Sequence, residues 1–343
     1  LPGRYLAGSR DEAIFQPSWA PDGTLYFVSD ANEWWNLYRM TGHGIEAVTS
    51  LDAEMGLPQW VFGQRTYGFP AANRISAAAS AHGQWQLYGL ELPDGVPQPL
   101  ATDLSSIEHV SAGGGATAVL GGCPVRPSRI ILFDAGGARE LARTGSDLMT
   151  PADVSRPRPL TFPVGEGETA HALYYPPCST SHQPGAGERP PLLVKCHGGP
   201  TGAASAALDL KIQFWTSRGF AVLDVNYRGS TGYGRRYRRA LYGRWGQADV
   251  EDCAAGARYV CEQGLADPDR LLISGGSAGG YTVLCSLAFN DVFVAGASYY
   301  GIGDLDALFA TTHKFESRYD HLLIGPDRSA ARDRSPLHHA ESI

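Results

Sequence analysis

Three features that would assign the chain to other protein classes are absent from its 343 residues. No apolar run reaches the roughly 18 residues of a membrane-spanning helix, so the sequence predicts a soluble protein without a membrane partner. Basic residues are not in excess, because the formal net charge is −7, and this argues against a nucleic-acid partner. The six cysteines form no C-x-x-C pair, which favours buried free thiols in a reducing, cytoplasmic setting.

A leader sequence is also missing, since the chain begins at Leu1 without a charged segment followed by an apolar one. We therefore expect an internal fragment of a longer protein, for which the missing signal peptide has little meaning. Hydrophobic residues make up 43% and charged residues 18% of the chain, so sizeable cores can form. A length of 343 residues predicts two domains.

Residues 1–150 have the pattern of an all-β domain built from repeats. Trp60 follows Trp19 by 41 positions, and Trp85 follows Trp35 by 50 positions. Repeats of roughly 40 to 50 residues with several short strands each are typical of β-propeller blades. About three blades fit into this region, whereas a propeller closes with about four to eight, so we expect a partial propeller. Tryptophans of such blades usually pack in the core, and we expect this for Trp19 and Trp60.

A different pattern begins after a proline-rich boundary at residues 151–159, and residues 156–343 are predicted to form a partial α/β-hydrolase domain. Three short apolar runs predict buried strands: residues 192–196, 221–225 and 271–274. The clearest helix covers residues 249–262, with Asp249 as its N-cap and Gly264 just beyond its end. Alternating strands and helices predict a mainly parallel sheet with helices on both faces, whose sites lie beyond the carboxyl ends of the strands.

The last of these strands leads into a glycine-rich turn that contains G-x-S-x-G centred on Ser277. In a nucleophile elbow the serine lies on a sharp strand-to-helix turn, where Gly275 and Gly279 leave room and the hydroxyl is exposed. The pattern also occurs by chance in glycine-rich chains, and this chain has 42 glycines. Because an apolar strand precedes the motif and a proline-free run follows it, we predict that Ser277 is a catalytic nucleophile.

A second glycine-rich segment, His197-Gly198-Gly199-Pro200, directly follows the first predicted strand of this domain. Such a loop can turn a backbone N–H towards the serine, and together with the N–H of Ala278 it would form an oxyanion hole. The alternative is an ordinary strand-to-helix turn, but two matched motifs on one sheet favour the oxyanion hole. His197 itself is predicted to be structural, because the catalytic histidine of this fold follows the serine in chain order.

Four segments together resemble the prolyl oligopeptidase family of serine peptidases, and within it the acylaminoacyl-peptidase and dipeptidyl-aminopeptidase branch. They are His197-Gly198-Gly199-Pro200, Asn226-Tyr227-Arg228-Gly229-Ser230-Thr231-Gly232-Tyr233-Gly234, Gly275-Gly276-Ser277-Ala278-Gly279-Gly280 and Thr312-His313-Lys314-Phe315-Glu316-Ser317-Arg318-Tyr319. The resemblance covers nearly the whole chain. It implies a β-propeller that screens substrates by size and an α/β-hydrolase domain that cleaves short peptides without a metal or organic cofactor. It also implies that Ser277 is the nucleophile and that Gly199 and Ala278 supply the oxyanion N–H groups.

The chain departs from the family pattern after Ser277. In the family the catalytic acid and base follow two further sheet strands, so the resemblance places them beyond Ile343. The aspartates and histidines that follow the serine in this chain match neither position; they include Asp304, Asp306, Asp320, His313, His321, His338 and His339. We therefore expect the chain as given to be inactive. Glu316 and Arg318 either hold a peptide terminus or form a surface ion pair.

The predicted function is that of a serine peptidase that hydrolyses short peptides through an acyl-enzyme on Ser277. A carboxylesterase is the first alternative, because the same machinery cleaves esters. A catalytically dead propeller scaffold for protein partners is the second alternative, and the intact Gly275, Gly279 and Gly199 argue against it. The cleavage preference, the state of the substrate amine and the formation of a homo-oligomer stay open.

Overall fold

The computed structural model describes residues 3–93, 95–146, 148–182, 185, 187–325 and 329–343, and for residues 166 and 320 it describes the backbone alone. The chain divides into two units. The all-β unit contains Leu1–Leu148, Ser205–Leu208 and Thr231–Arg236, and the α/β unit contains Met149–Ala204, Asp209–Ser230 and Tyr237–Ile343. Two short segments from beyond residue 200 therefore belong to the all-β unit, which no pattern in the sequence indicates.

The described residues of the all-β unit form three antiparallel sheets of four strands each. The first sheet contains β1 (Ile14–Trp19), β2 (Leu25–Ser29), β3 (Asn36–Thr41) and β4 (Gly44–Ala47). The second contains β5 (Tyr67–Ala71), β6 (Arg74–Ala81), β7 (Gln84–Glu91) and β8 (Gln98–Pro99). The third contains β9 (Ser106–Gly113), β10 (Ala116–Cys123), β11 (Arg126–Asp134) and β12 (Gly137–Arg143). Each strand pairs with the next one along the chain, as expected for three propeller blades.

The repeat of Trp35 and Trp85 corresponds to a repeated position in these sheets. Trp35 directly precedes β3, and Trp85 is the second residue of β7, so both lie at the start of a third strand. Two residues further on, Leu37 and Leu87 are completely buried. The repeat in the sequence therefore reflects the burial pattern of successive sheets.

The expectation that Trp19 and Trp60 pack in the core is wrong. The side chain of Trp19 is 70% exposed and that of Trp60 is 45% exposed. Trp19 is the last residue of β1, which is an edge strand, and Trp60 lies in an irregular segment before β5. A tryptophan in either place has no neighbouring strand on one side to cover its ring.

The α/β unit contains a six-stranded sheet in the order β13-β14-β16-β15-β17-β18. Its strands are β13 (Arg158–Pro163), β14 (Thr169–Tyr175), β15 (Leu192–Cys196), β16 (Ala221–Asn226), β17 (Leu271–Gly276) and β18 (Ala295–Tyr299). The last four strands in the sheet order run parallel, whereas β13, β14 and β16 pair antiparallel. All three strands predicted in this region are confirmed as β15, β16 and β17. Continuous apolar runs are typical of strands buried on both faces, which is why the sequence revealed them.

The helices are α1 (Leu210–Thr216), α2 (Gly234–Arg239), α3 (Ala248–Glu262), α4 (Ala278–Phe289), α5 (Leu305–Thr311), α6 (Tyr319–Leu323) and α7 (Ser329–Asp333). Single 3₁₀ turns or short 3₁₀ helices cover Pro151–Asp153, Gly165–Gly167 and Pro336–Ser342. None of the helices in the described ranges is long and apolar enough to cross a membrane.

Helix α3 confirms the predicted helix, but the prediction that Asp249 is its N-cap is wrong. The N-cap is Gln247, and Asp249 lies inside the first turn, where its side chain is completely buried. Its carboxylate accepts hydrogen bonds from the N–H of Gly246 and from the hydroxyl of Thr282. A tertiary contact to α4 therefore explains this acidic residue better than capping does. Gly264 follows the helix with a positive φ of 72°, as predicted.

Candidate active site

Ser277 lies at the junction of β17 and α4, where the backbone turns sharply. Its φ of 55° and ψ of −122° are rarely adopted by residues other than glycine. Such strain persists only where the surrounding structure enforces it, and it occurs often at active sites. The Ser277 side chain is exposed, and its backbone N–H is bonded to Tyr299 O at 3.0 Å. This is the geometry of a nucleophile elbow.

Gly275 and Gly279 allow the elbow to be this tight. A Cβ atom on Gly275 would lie 2.5 Å from Gly279 O and 2.9 Å from Cys196 O. A Cβ atom on Gly279 would overlap with the carbonyl group of Cys196 and would lie 2.8 Å from His197 O. Because these neighbours are backbone atoms, they cannot rotate away as a side chain would. The two glycines therefore allow β17, α4 and the loop after β15 to pack in close contact.

The adjacent loop is the glycine-rich segment after β15. Strands β15 and β17 are parallel neighbours with Cys196 opposite Gly275, so their carboxyl ends bring the loop and the elbow together. A Cβ atom on Gly198 would lie 3.6 Å from Ser277 Cβ. The structure therefore places the two predicted motifs side by side.

Two backbone N–H groups at this junction are unpaired. Among the described residues, neither the N–H of Gly199 nor the N–H of Ala278 has a hydrogen-bond acceptor. Ala278 is the first residue of α4, where an N–H has no partner inside the helix. Gly199 has a φ of 100°, a conformation that favours glycine. Both residues lie at the junction that carries Ser277, and neither N–H is used by a described acceptor.

His197 holds the glycine-rich loop through both ring nitrogens. Nε2 lies 2.7 Å from the hydroxyl of Ser230, and Nδ1 lies 2.9 Å from Gly198 O. The ring stacks on Tyr227 with 4.3 Å between the ring centroids, and the Tyr227 hydroxyl donates to His197 O at 2.9 Å. Burial lowers the pKa of His197, so the ring is neutral at pH 7. These contacts fit the structural role predicted for His197.

Tyr319 and Thr201 support the far side of the same loop, which the sequence does not indicate. The Tyr319 hydroxyl lies 2.9 Å from Thr201 Oγ1 and donates to Gly199 O at 3.4 Å. Burial raises the pKa of Tyr319 far above its usual range, so the hydroxyl keeps its proton and remains a donor. Tyr319 belongs to one of the motifs that carry the family resemblance, but its role requires a contact across more than 100 residues.

The buried carboxyl group of Asp249 connects the helix after Ser277 with α3. Thr282 of α4 donates its hydroxyl to Asp249 at 2.6 Å. Burial raises the pKa of Asp249 to about 6, although the hydrogen bonds from Thr282 and from the N–H of Gly246 oppose this shift. The carboxyl group thus holds α4 at Thr282, one turn beyond Ala278.

Comparison with known proteins identifies relatives of this chain. The profile of the prolyl oligopeptidase family matches residues 206–343, which include the elbow. A puromycin-hydrolyzing peptidase of Mycobacterium tuberculosis, whose structure is solved, is 37% identical and superposes with a TM-score of 0.95. That match covers 100% of this chain and 54% of the peptidase. Residues 206–343 of this chain are thus similar to the prolyl oligopeptidase family.

Two further relatives carry peptidase names of this family and match a shorter region. Dipeptidyl aminopeptidase BIII of Pseudoxanthomonas mexicana is 33% identical over 181 residues, which are 50% of this chain and 26% of the relative. The acylamino-acid-releasing enzyme of Arabidopsis thaliana is 33% identical over 177 residues, which are 48% of this chain and 23% of the relative. The chain thus spans about half the length of the solved peptidase and matches about a quarter of the other two.

The acid and base that the family resemblance implies are not found beside Ser277. Among the described residues its hydroxyl has no hydrogen-bond partner. His339 packs against Phe289, with 4.8 Å between the ring centroids, at the last residue of α4. A helix of this length separates its two ends by about 16 Å, so His339 is far from Ser277. Two other candidates have different partners: His313 lies 3.4 Å from Glu316, and Asp304 caps α5.

Asp320 was also a candidate from the sequence, and its side chain lies outside the described residues. The contact of Glu316 with His313 joins two largely exposed side chains, since 39% and 64% of their surfaces are accessible. A contact between side chains with such exposure contributes little to stability.

Replacement of Gly199 by valine is expected to lower turnover of a catalytically complete form of the protein by about 10²- to 10³-fold, as loss of one oxyanion donor does. A β-branched residue does not adopt the φ of 100°, so the backbone N–H at this position would change its direction. Gly219 offers a matched control, because its φ is 87° and a Cβ atom there would meet no atom within 4 Å. Comparison of kcat for the two valine variants measures the effect, and equal values would remove Gly199 from the oxyanion hole.

Proposed function

We propose that this chain supplies the nucleophile and the oxyanion hole of a serine peptidase that cleaves short peptides through an acyl-enzyme. The observation that carries the proposal is the exposed, strained Ser277 near the N–H groups of Gly199 and Ala278, which have no acceptor in the part of the chain that the structure describes. A structural turn has no need for this combination. The match of residues 206–343 to the prolyl oligopeptidase family and the likeness to a solved peptidase support the same function.

In this proposal the Ser277 hydroxyl attacks the carbonyl carbon of the scissile bond while a general base takes its proton. The carbonyl oxygen becomes an oxyanion and accepts hydrogen bonds from the N–H groups of Gly199 and Ala278. The positive end of the helix dipole of α4 also stabilises this negative charge. Collapse of the intermediate breaks the bond to the nitrogen, and the base gives its proton to the leaving amine. An ester remains on Ser277, which water then hydrolyses. The base and its acidic partner correspond to the family positions that the resemblance places beyond Ile343.

The names of the relatives narrow the proposed substrates to short peptides and aminoacyl amides. The solved relative with 37% identity is described as puromycin-hydrolyzing, and puromycin carries an amide between an amino acid and an aminonucleoside. The two other relatives are named for release of dipeptides and of acylamino acids. A substrate with a small acyl part and an amine leaving group is common to these descriptions.

The test compares four substrates with a form of the protein that contains the complete catalytic domain. They are puromycin, an aminoacyl anilide, the N-acetylated form of that anilide and a short-chain ester of the same amino acid. We expect turnover of the amides, and the ratio of free to acetylated anilide gives the preference for the substrate amine. Turnover of the ester alone would favour the carboxylesterase, and no turnover of any substrate would favour the scaffold.

A further inference from the structure

The all-β unit contains a cavity of about 670 Å³ at the first strands of its three sheets. β1, β5 and β9 are edge strands of their sheets, and all three line the cavity. An edge strand carries backbone N–H and C=O groups without a partner strand on one side. Some of these groups bond within the unit, as in the contact from Val110 N to Arg65 O, but an extended chain can pair with others.

The wall formed by β1 is strained and held in place. Gln16 has a φ of 47°, and the register of β1 shifts between Phe15 and Ser18. The Gln16 side chain accepts from Thr66 N at 2.7 Å and donates to Tyr67 O at 2.8 Å. The Tyr67 hydroxyl in turn donates to Gln16 O at 2.8 Å. A bulged strand that is fixed in this way indicates a preformed surface, because strain of this kind concentrates at binding sites.

The cavity combines one cation with an exposed indole. Arg65 is the single charged residue of its lining, and its side chain has no carboxylate within 4.0 Å among the described residues. Trp19 also lines the cavity and leaves 70% of its surface exposed. The remaining lining is uncharged and contains the aromatic residues Tyr67 and Phe69. Such a surface is complementary to a ligand with one negative charge and an apolar body.

We propose that this cavity binds a short peptide in extended conformation, with its α-carboxylate on Arg65 and an aromatic side chain against Trp19. The guanidinium group can donate two parallel hydrogen bonds to a carboxylate. Backbone groups of β1, β5 and β9 that are not bonded within the unit supply main-chain hydrogen bonds, as in strand addition. An indole gives a large contact area at low cost in side-chain entropy. The site is independent of Ser277 and of the proposed function.

The test uses the 343-residue chain and measures binding of Gly-Gly-Phe and of its C-terminal amide by titration calorimetry. We expect the free acid to bind at least about tenfold more tightly than the amide, because the acid alone can pair with Arg65. The variant Arg65→Gln is expected to abolish this difference, and Trp19→Ala to weaken both peptides. Arg65 is exposed, so its replacement leaves the fold intact, which circular dichroism verifies.

Arg74→Gln is the matched control, because Arg74 is an exposed arginine of the same unit outside the cavity lining. This variant should bind both peptides like the unchanged chain. Equal affinity for acid and amide in the unchanged chain would overturn the proposal. The same loss of affinity in Arg74→Gln as in Arg65→Gln, or no binding at millimolar peptide, would also overturn it.

Discussion

Replacement of Ser277 by alanine is expected to lower turnover of aminoacyl amides by about 10⁶-fold in a catalytically complete form of the protein. The physical reason is that the hydroxyl forms the covalent bond to the acyl group, and no neighbouring group can take over this step. Binding should change little, because the oxyanion N–H groups belong to the backbone and remain in place. The measurement is kcat with puromycin or an anilide as substrate.

A control variant is Ser217→Ala, since Ser217 is a half-buried serine at the C-cap of α1 and lies outside the candidate site. It should retain full turnover. Residual activity of Ser277→Ala within tenfold of the unchanged protein would exclude Ser277 as the nucleophile. The 343-residue chain gives a second readout, because slow labelling of Ser277 by a fluorophosphonate is expected without a base at its hydroxyl. Rapid labelling would instead reveal a base inside the chain.

The parts of the site that the sequence predicts are those determined by local patterns. The apolar run of β17, the glycines around Ser277 and the loop after β15 are each contained within about ten consecutive residues. Parallel strands place their carboxyl ends at one edge, so the two motifs were expected to meet, and they do. The sharp turn at Ser277 follows from the glycines, because only small neighbours fit there.

The supports of the loop could not be predicted, because they depend on contacts between distant segments. Ser230 is 33 residues from His197, and Tyr319 is 120 residues from Gly199. A serine or tyrosine in a motif has no periodicity that would reveal such a partner. Trp19 and Asp249 were interpreted incorrectly for the same reason. The exposure of Trp19 depends on the position of β1 in its sheet, and the burial of Asp249 depends on Thr282 of another helix.

Arg228 is the centre of a buried ion network in the α/β unit and leads to the second large expected effect. Its side chain is 2% exposed, and Nη2 lies 2.7 Å from the carboxylate of Asp252, which is completely buried. Glu168 and Glu251 also contact the guanidinium group. Burial raises the pKa of Asp252 although Arg228 opposes this shift, so its negative charge depends on the arginine. The preceding residue, Tyr227, stacks on His197.

Replacement of Arg228 by methionine is expected to lower the free energy of unfolding by about 3 to 5 kcal/mol, because it leaves the Asp252 carboxylate buried without its partner. Urea denaturation at pH 7 measures the loss. The matched control is Arg270→Met, which removes an ion pair with Asp267 between partly exposed side chains and should cost about 0 to 1 kcal/mol. A similar cost for both variants would contradict the assignment of Arg228 to a buried network.

The pH dependence of the Arg228→Met variant separates a lost charge partner from lost packing. Without the guanidinium group, the pKa of Asp252 in the folded state rises further above its value in the unfolded chain. The folded variant then binds a proton that the unfolded chain releases, so its stability falls as the pH rises through this range. The loss in free energy of unfolding relative to the unchanged chain should therefore be smaller near pH 4 than at pH 7. A loss that is independent of pH would mean that packing alone was lost.

Because Tyr227 connects this network to His197 and the loop of Gly199, turnover of the variant should fall together with its stability at pH 7.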